Sequence, residues 1–139
     1  MKTEYYFLLA GIILLHFATS GAGMDAIQII AKAIMDFEGY SPGSVSYRNN
    51  NPGNLKNVGQ LNVVGTDNQG HAIFPTFQDG WNALIKQVTL MFGQSSLYNP
   101  DMSLYQIFNR YAEANGNSYA QFVARRLGVT PETRLRELI

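Results

Sequence analysis

Two short stretches of this chain hold the residue types that could do chemistry: Glu38-Gly39, and a little further on Arg48-Asn49-Asn50-Asn51-Pro52-Gly53-Asn54-Leu55. Glu38 closes the segment DAIQIIAKAIMDFE, in which apolar residues recur at helical spacing. At about 100° per residue, Ile27, Ile30, Ala31 and Ile34 form one stripe, with Asp25, Lys32 and Asp36 opposite. Glu38 falls roughly 20° from Ile27, inside the stripe, where a solvated acid does not belong. Desolvation and the negative end of the helix dipole both disfavour a charged carboxyl there. A carboxyl so placed keeps a proton near neutral pH, as a general acid must. The competing reading is a last turn that frays at Gly39 and lets Glu38 swing into water.

The asparagine run suits recognition. Side-chain amides donate and accept at once, and Pro52-Gly53 sets a tight turn to hold them. Sugar hydroxyls, acetamido groups and peptide carbonyls all require such neutral, two-way hydrogen bonding. Asn50, Asn51 and Asn54 are therefore candidate substrate contacts; the alternative is a turn whose asparagines satisfy their own backbone. Tyr40 and Tyr47 bracket the loop behind Glu38 and present planes on which sugar rings can lie, or pin the loop to the core. Arg48 suits an anionic carboxylate or a structural bond to the turn.

The rest of the sequence must position these groups. The helix Asp25 to Glu38 is followed by a polar stretch, Gly39 to Gly70. Leu61–Val64 and His71–Phe74 are expected to pair as a hairpin around Thr66-Asp67-Asn68-Gln69-Gly70. A second helix should start near Asp79, with Trp81, Leu84, Ile85, Val88, Met91 and Phe92 inward and Gly93 as its stop. Trp81 is read as core. A third helix starts at Ser103, whose spacing to Gln106 fits a capping box. It carries Leu104, Ile107, Phe108 and Tyr111 on one face. Ser118 and Gln121 repeat that spacing ahead of a fourth helix closed by Gly128, and Thr130-Pro131 reads as the start of a short C-terminal helix. The fold class is mainly α, of the α+β kind, with a small hairpin.

Composition narrows the chemistry. Ten basic and ten acidic residues balance, so no net charge advertises a nucleic-acid partner. The chain has no cysteine and two histidines, of which His71 alone lies beyond the N-terminal segment. That excludes disulfides and thiolate metal sites, and argues against zinc. No Gly-x-Ser-x-Gly turn presents a serine nucleophile. No cofactor or metal is expected. Residues 1–23 read as an export signal: Lys2, an apolar run from Tyr5 to Phe17, then small residues to Gly23. The run of about 13 residues is short against the roughly 20 of a membrane span, though Glu4 and His16 leave an uncleaved N-terminal anchor, and so membrane attachment, open. Residues 24–139 are enough for one modest core.

The order Glu38-Gly39, then RNNNPGNLK, then Phe74-Pro75-Thr76-Phe77-Gln78-Asp79-Gly80 resembles phage and bacterial cell-wall lytic domains of the lysozyme-like superfamily. The resemblance runs over most of residues 24–139. It implies a lysozyme-like helical domain with its hairpin next to an active-site cleft, and cleavage of peptidoglycan glycan strands as a lytic transglycosylase or muramidase. Glu38 would be the general acid and base, with Tyr47, Arg48, Asn50, Asn51, Asn54 and Tyr111 as substrate contacts. Exported location (periplasm, envelope or secreted) and a monomer acting on glycan strands follow from it. One departure stands out. The Asp and Thr that phage lysozymes carry after their Glu are missing, which favours a mechanism with a single carboxyl. Asp67 and Glu113 are the acids that could still supply a second. A non-catalytic wall-binding domain, or an envelope or virion structural protein, is the alternative on the same fold.

Overall fold

The computed structural model describes residues 21–139. Residues 1–20 of the expected leader lie outside them; its last three residues, Gly21–Gly23, stand in the first turn of the first described helix. Five α-helices, one 3₁₀ turn and one two-stranded antiparallel sheet follow in order: α1 Gly21–Phe37, α2 Val45–Arg48, β1 Gly65–Thr66, β2 Ala72–Ile73, α3 Phe77–Met91, α4 Leu104–Tyr111, α5 Gly116–Leu127 and the 3₁₀ turn Leu135–Leu138. The chain is mainly helical with a small sheet, as its patterning requires. No helix among the described residues is long and apolar enough to cross a membrane.

The described residues form two compact units. The first, Ala31–Gln87, holds the end of α1, α2, the hairpin and most of α3. Its buried apolar side chains are Ala31, Ala33, Ile34, Leu55, Ala72, Phe74 and Leu84. β1 and β2 pair with Gly65 opposite Ile73 and Thr66 opposite Ala72. The Val64 N–H donates to the Ile73 carbonyl at 2.9 Å, and Lys56 bridges to His71. The hairpin therefore forms further along than Leu61–Val64. Leu61 is instead exposed, because Asn62 stands in the left-handed region and turns the chain before pairing begins. Helix α3 starts at Phe77, two residues before the expected Asp79. Thr76 is the reason: its hydroxyl accepts from the Asp79 N–H at 3.1 Å and donates to the Asp79 carboxylate at 2.6 Å, capping the helix ahead of Phe77.

The second unit comprises the front of α1 through Ile30 together with Val88–Ile139. It buries Ile27, Ile30, Val88, Met91, Phe92, Leu104, Ile107, Phe108, Tyr119, Val123 and Leu135. The capping box at α4 is formed: Ser103 Oγ accepts from the Gln106 N–H at 3.2 Å, and Gln106 Oε1 from the Ser103 N–H at 2.9 Å. The expected second box is not. Ser118 and Gln121 lie inside α5, which starts at Gly116 behind Asn115 in the left-handed region. Gly116 lies so close to α4 that a Cβ there would sit 2.7 Å from Asn109 Cα. Asn109 Nδ2 also donates to Asn117 Oδ1 at 2.7 Å, so α4 sets where α5 begins. Gly128 ends α5 as expected, at φ +71. Thr130-Pro131 starts no α-helix. The Pro131 and Thr133 carbonyls accept from the Tyr105 and Leu104 N–H groups at 3.1 and 3.0 Å, satisfying the open first turn of α4, while the Thr133 N–H closes a single turn onto the Thr130 carbonyl at 3.1 Å. Only the 3₁₀ turn Leu135–Leu138 follows.

Candidate functional site

The end of α1 is closed rather than frayed. The Glu38 N–H continues the helical ladder to the Ile34 carbonyl at 2.9 Å. The Gly39 N–H then reaches back to Asp36 and the Tyr40 N–H to Met35, both at 3.2 Å, with Gly39 at φ +72. This pair of reverse bonds is a Schellman motif with Glu38 at its C-cap. Glycine at the next position makes the left-handed turn without a Cβ penalty. Glu38 is half-buried, neither in bulk water nor sealed in the core.

Beyond the motif, Tyr40 stands within a row of aromatic rings, between Tyr47 and Phe77. Its centroid lies 5.1 Å from Tyr47 of α2 and 5.5 Å from Phe77 of α3, and Phe77 stacks on Trp81 at 6.1 Å and 18°. Tyr47 and Phe77 remain 43% and 40% exposed, so the row presents open ring faces. Burial, and then the neighbouring Tyr47 phenol, push the Tyr40 hydroxyl above its ordinary pKa. Trp81 is half-exposed and belongs to this row, not to the core as its helical position suggested. Phe77 is the member sequence reasoning missed. Its spacing to Trp81, one helical turn, was the available signal.

Phe77, Gly80, Trp81 and Leu84 share one face of α3. The asparagine turn lies against the middle of that face. A Cβ on Gly80 would overlap the Asn50 carbonyl oxygen and sit 2.9 Å from Pro52 Cδ. One on Gly53 would sit 2.8 Å from Leu84 Cδ1. The turn and the ring row are thus held by the same helix.

Within the turn, the asparagines have divided roles. Asn51 is fully buried, and its amide cross-links the fold: Nδ2 donates to the Leu55 and Ala72 carbonyls and Oδ1 accepts from the Leu55 N–H, each at 2.9 Å. That corrects its assignment as a substrate contact, since a buried, fully engaged amide has nothing to offer a ligand. Asn50 stands at φ +50, and its Nδ2 donates to the Phe74 carbonyl at 3.1 Å. Asn49 Nδ2 donates to Asp67 at 2.9 Å. Asn54 differs: it stands at φ +48, and its buried Oδ1 has no hydrogen-bond partner among the described residues. Arg48 is exposed and donates to the Gly43 carbonyl at 2.6 Å, bracing the loop before α2.

Asp67, the first acid after this turn in sequence, is occupied. Its Oδ1 accepts from the His71 and Gln69 N–H groups at 2.8 and 2.9 Å; its Oδ2 meets the Asn49 amide and the His71 ring Nδ1 at 2.9 and 3.0 Å. Burial alone would raise its pKa, but the hydrogen bonds from His71, Asn49 and Gln69 outweigh it and hold the carboxyl well below the usual range. Asp79 is lowered too, by the Thr76 hydroxyl first and then the Asn62 amide. Tyr111 lies in the second unit, edge-on to Phe108 at 5.9 Å and to Tyr119 at 5.8 Å, in the packing role that its helical face allows. No group of three or more metal-ligating side chains occurs among the described residues. No protein-family model, curated protein or solved structure matches the chain.

Proposed function

We propose that this protein cleaves the glycan strands of peptidoglycan, as a lytic transglycosylase or muramidase on a lysozyme-like fold, with Glu38 as its general acid. The observation that carries the reading is the half-buried Glu38 at a closed helix end, next in sequence to an open row of aromatic rings. Sugar rings lie on aromatic planes through their C–H faces, and the Tyr47–Tyr40–Phe77–Trp81 row offers such planes. Glu38 protonates the glycosidic oxygen as the bond to the departing sugar breaks, leaving an oxocarbenium-like centre. Glu38, now a carboxylate, takes a proton either from the substrate's own hydroxyl, which closes the ring, or from water. The asparagine turn meets the N-acetyl group and sets the register of the strand. Action on the wall fits an exported chain, with residues 1–23 as its leader.

A second reading, a domain that binds wall glycan without cutting it, is favoured by one fact. Asp67 is committed to four hydrogen bonds and offers no second carboxylate. A peptidoglycan-loaded gel separates the two. Cleavage predicts a cleared band from the parent chain and none from Glu38→Gln. A parent that sediments with sacculi yet clears nothing would establish the binder.

A further inference from the structure

The loop that leads into β1 is built inside out. Asn57 and Gln60 are half-buried and bonded within the loop, while its aliphatic side chains stand in water. Asn57 Oδ1 accepts from the Gly59 N–H at 3.0 Å, and its Nδ2 donates to Thr66 Oγ1 at 2.6 Å. Gln60 Oε1 accepts from the Val58 N–H at 2.9 Å, and its Nε2 donates to the Lys56 carbonyl at 2.7 Å. The Val63 N–H closes the next turn onto the Gln60 carbonyl at 3.3 Å, with Gly59 and Asn62 in the left-handed region. These closures fold the segment into one small lobe. On it Val58, Leu61 and Val64 are 81%, 78% and 66% exposed, more than any other large apolar residue among those described.

Single exposed aliphatic residues are ordinary, but three on one lobe mark a surface that meets something apolar. We propose that this lobe docks on the interface of a phospholipid bilayer, with Val58, Leu61 and Val64 dipping into the acyl boundary. A protein partner fits less well. A stable protein interface buries about 800 Å² on each side and centres on Trp, Tyr or Arg anchors. Three aliphatic side chains supply neither, and a second copy of this chain fails by the same area. Lipid asks instead for aliphatic surface and for backbone groups already matched, because hydrocarbon offers no hydrogen bonds. The N–H groups of Asn57, Val58, Gly59, Val63 and Val64 all have acceptors within the protein. Residues 56–66 carry one lysine and no acid, so they do not repel anionic headgroups. The Asp79 carboxylate beside the lobe is met by the Asn62 amide at 2.8 Å and by the Thr76 hydroxyl. This surface goes beyond the glycan reading and does not depend on it.

The test uses the full chain. It has no cysteine, so Leu61→Cys takes a single nitrobenzoxadiazole label, whose emission reports on this lobe alone even where residues 1–23 also bind lipid. Titration with vesicles of phosphatidylethanolamine and phosphatidylglycerol should brighten the label and shift it to the blue, and doxyl-labelled phospholipid should quench it. Adding Val58→Asn and Val64→Asn should weaken the partitioning that the label reads by about tenfold per valine, the scale of one buried aliphatic side chain. Both valines stand in water, so the melting midpoint should not change. Protein that sediments with the vesicles while the label stays unshifted overturns the proposal, and so does protein that fails to sediment. A shift that grows with protein concentration without lipid assigns the lobe to a second copy instead. A midpoint lowered by the asparagines makes the valines structural. Clearing of a peptidoglycan-loaded gel is read separately, so either reading can fall without the other.

Discussion

Replacing Gly80 by alanine tests whether α3 and the asparagine turn are held together as described. By helix propensity alone the change should help, because an interior glycine is worth about 1 kcal/mol less than alanine. The packing says the opposite. The added methyl would overlap the Asn50 carbonyl oxygen and press on Pro52 Cδ, a backbone atom and a proline ring with no rotamer to give. Relief requires moving the whole turn off the helix. Overpacking of this kind costs about 1–3 kcal/mol, occasionally more, and here it must also cancel the propensity gain. The net expectation is a loss of up to about 2 kcal/mol, measured by urea unfolding of the full chain. Glycan binding should fall with it, since the asparagine turn and the ring row depend on the same helix face. A Gly80→Ala protein that is more stable by the propensity increment, with unchanged glycan affinity, would refute the placement of the turn on α3.

Two further perturbations probe the same framework. Asn51→Ala would take the acceptor from the Leu55 N–H and a donor from the Ala72 and Leu55 carbonyls in a buried place, the Leu55 carbonyl keeping only the Ala72 N–H, so a loss of roughly 2–5 kcal/mol in urea unfolding is expected; a change within about 0.5 kcal/mol, as for surface sites, would contradict the cross-link. For Asp67 the folded carboxyl titrates below its unfolded value. Its contribution is thus complete above about pH 4, the unfolded value, and is lost as pH falls from there through the folded one. Asp67→Asn should destabilise the protein at neutral pH and flatten the acid limb of stability against pH. An acid limb as steep in the variant as in the parent would assign that loss to other groups.

How much of this was written in the sequence depends on which interactions are local. The helix ending at Glu38-Gly39 was legible because a Schellman turn needs only a glycine one residue past the cap. The Ser103–Gln106 box was equally local. The same spacing at Ser118–Gln121 failed, because the start of α5 is set by Asn109 on a neighbouring helix, which no pattern within α5 records. Thr130-Pro131 misled for a related reason: carbonyls that would have opened a helix are drawn to the bare first turn of α4. The asparagine run announced itself by composition, but its division of labour did not. Among the described residues, the four non-glycine positions at positive φ are all asparagines, Asn50, Asn54, Asn62 and Asn115, so much of the asparagine content serves backbone geometry. Which amide is left over depends on where Phe74, Ala72 and Asp67 return in space. Trp81 looked like core because a helical face was assumed to pack uniformly; Gly80 gives the centre of that face to the turn and leaves the rings at Phe77 and Trp81 open.

The most direct measurement is mass spectrometry of the soluble products released from purified sacculi by the parent chain and by Glu38→Gln. Cleavage by Glu38 predicts disaccharide-peptides from the parent, ending in anhydro sugars for transglycosylation or reducing sugars for hydrolysis. It predicts release slowed about 10²–10⁴-fold in the variant, the usual share of a general acid. No glycan fragments from the parent, or equal release from both proteins, would contradict it.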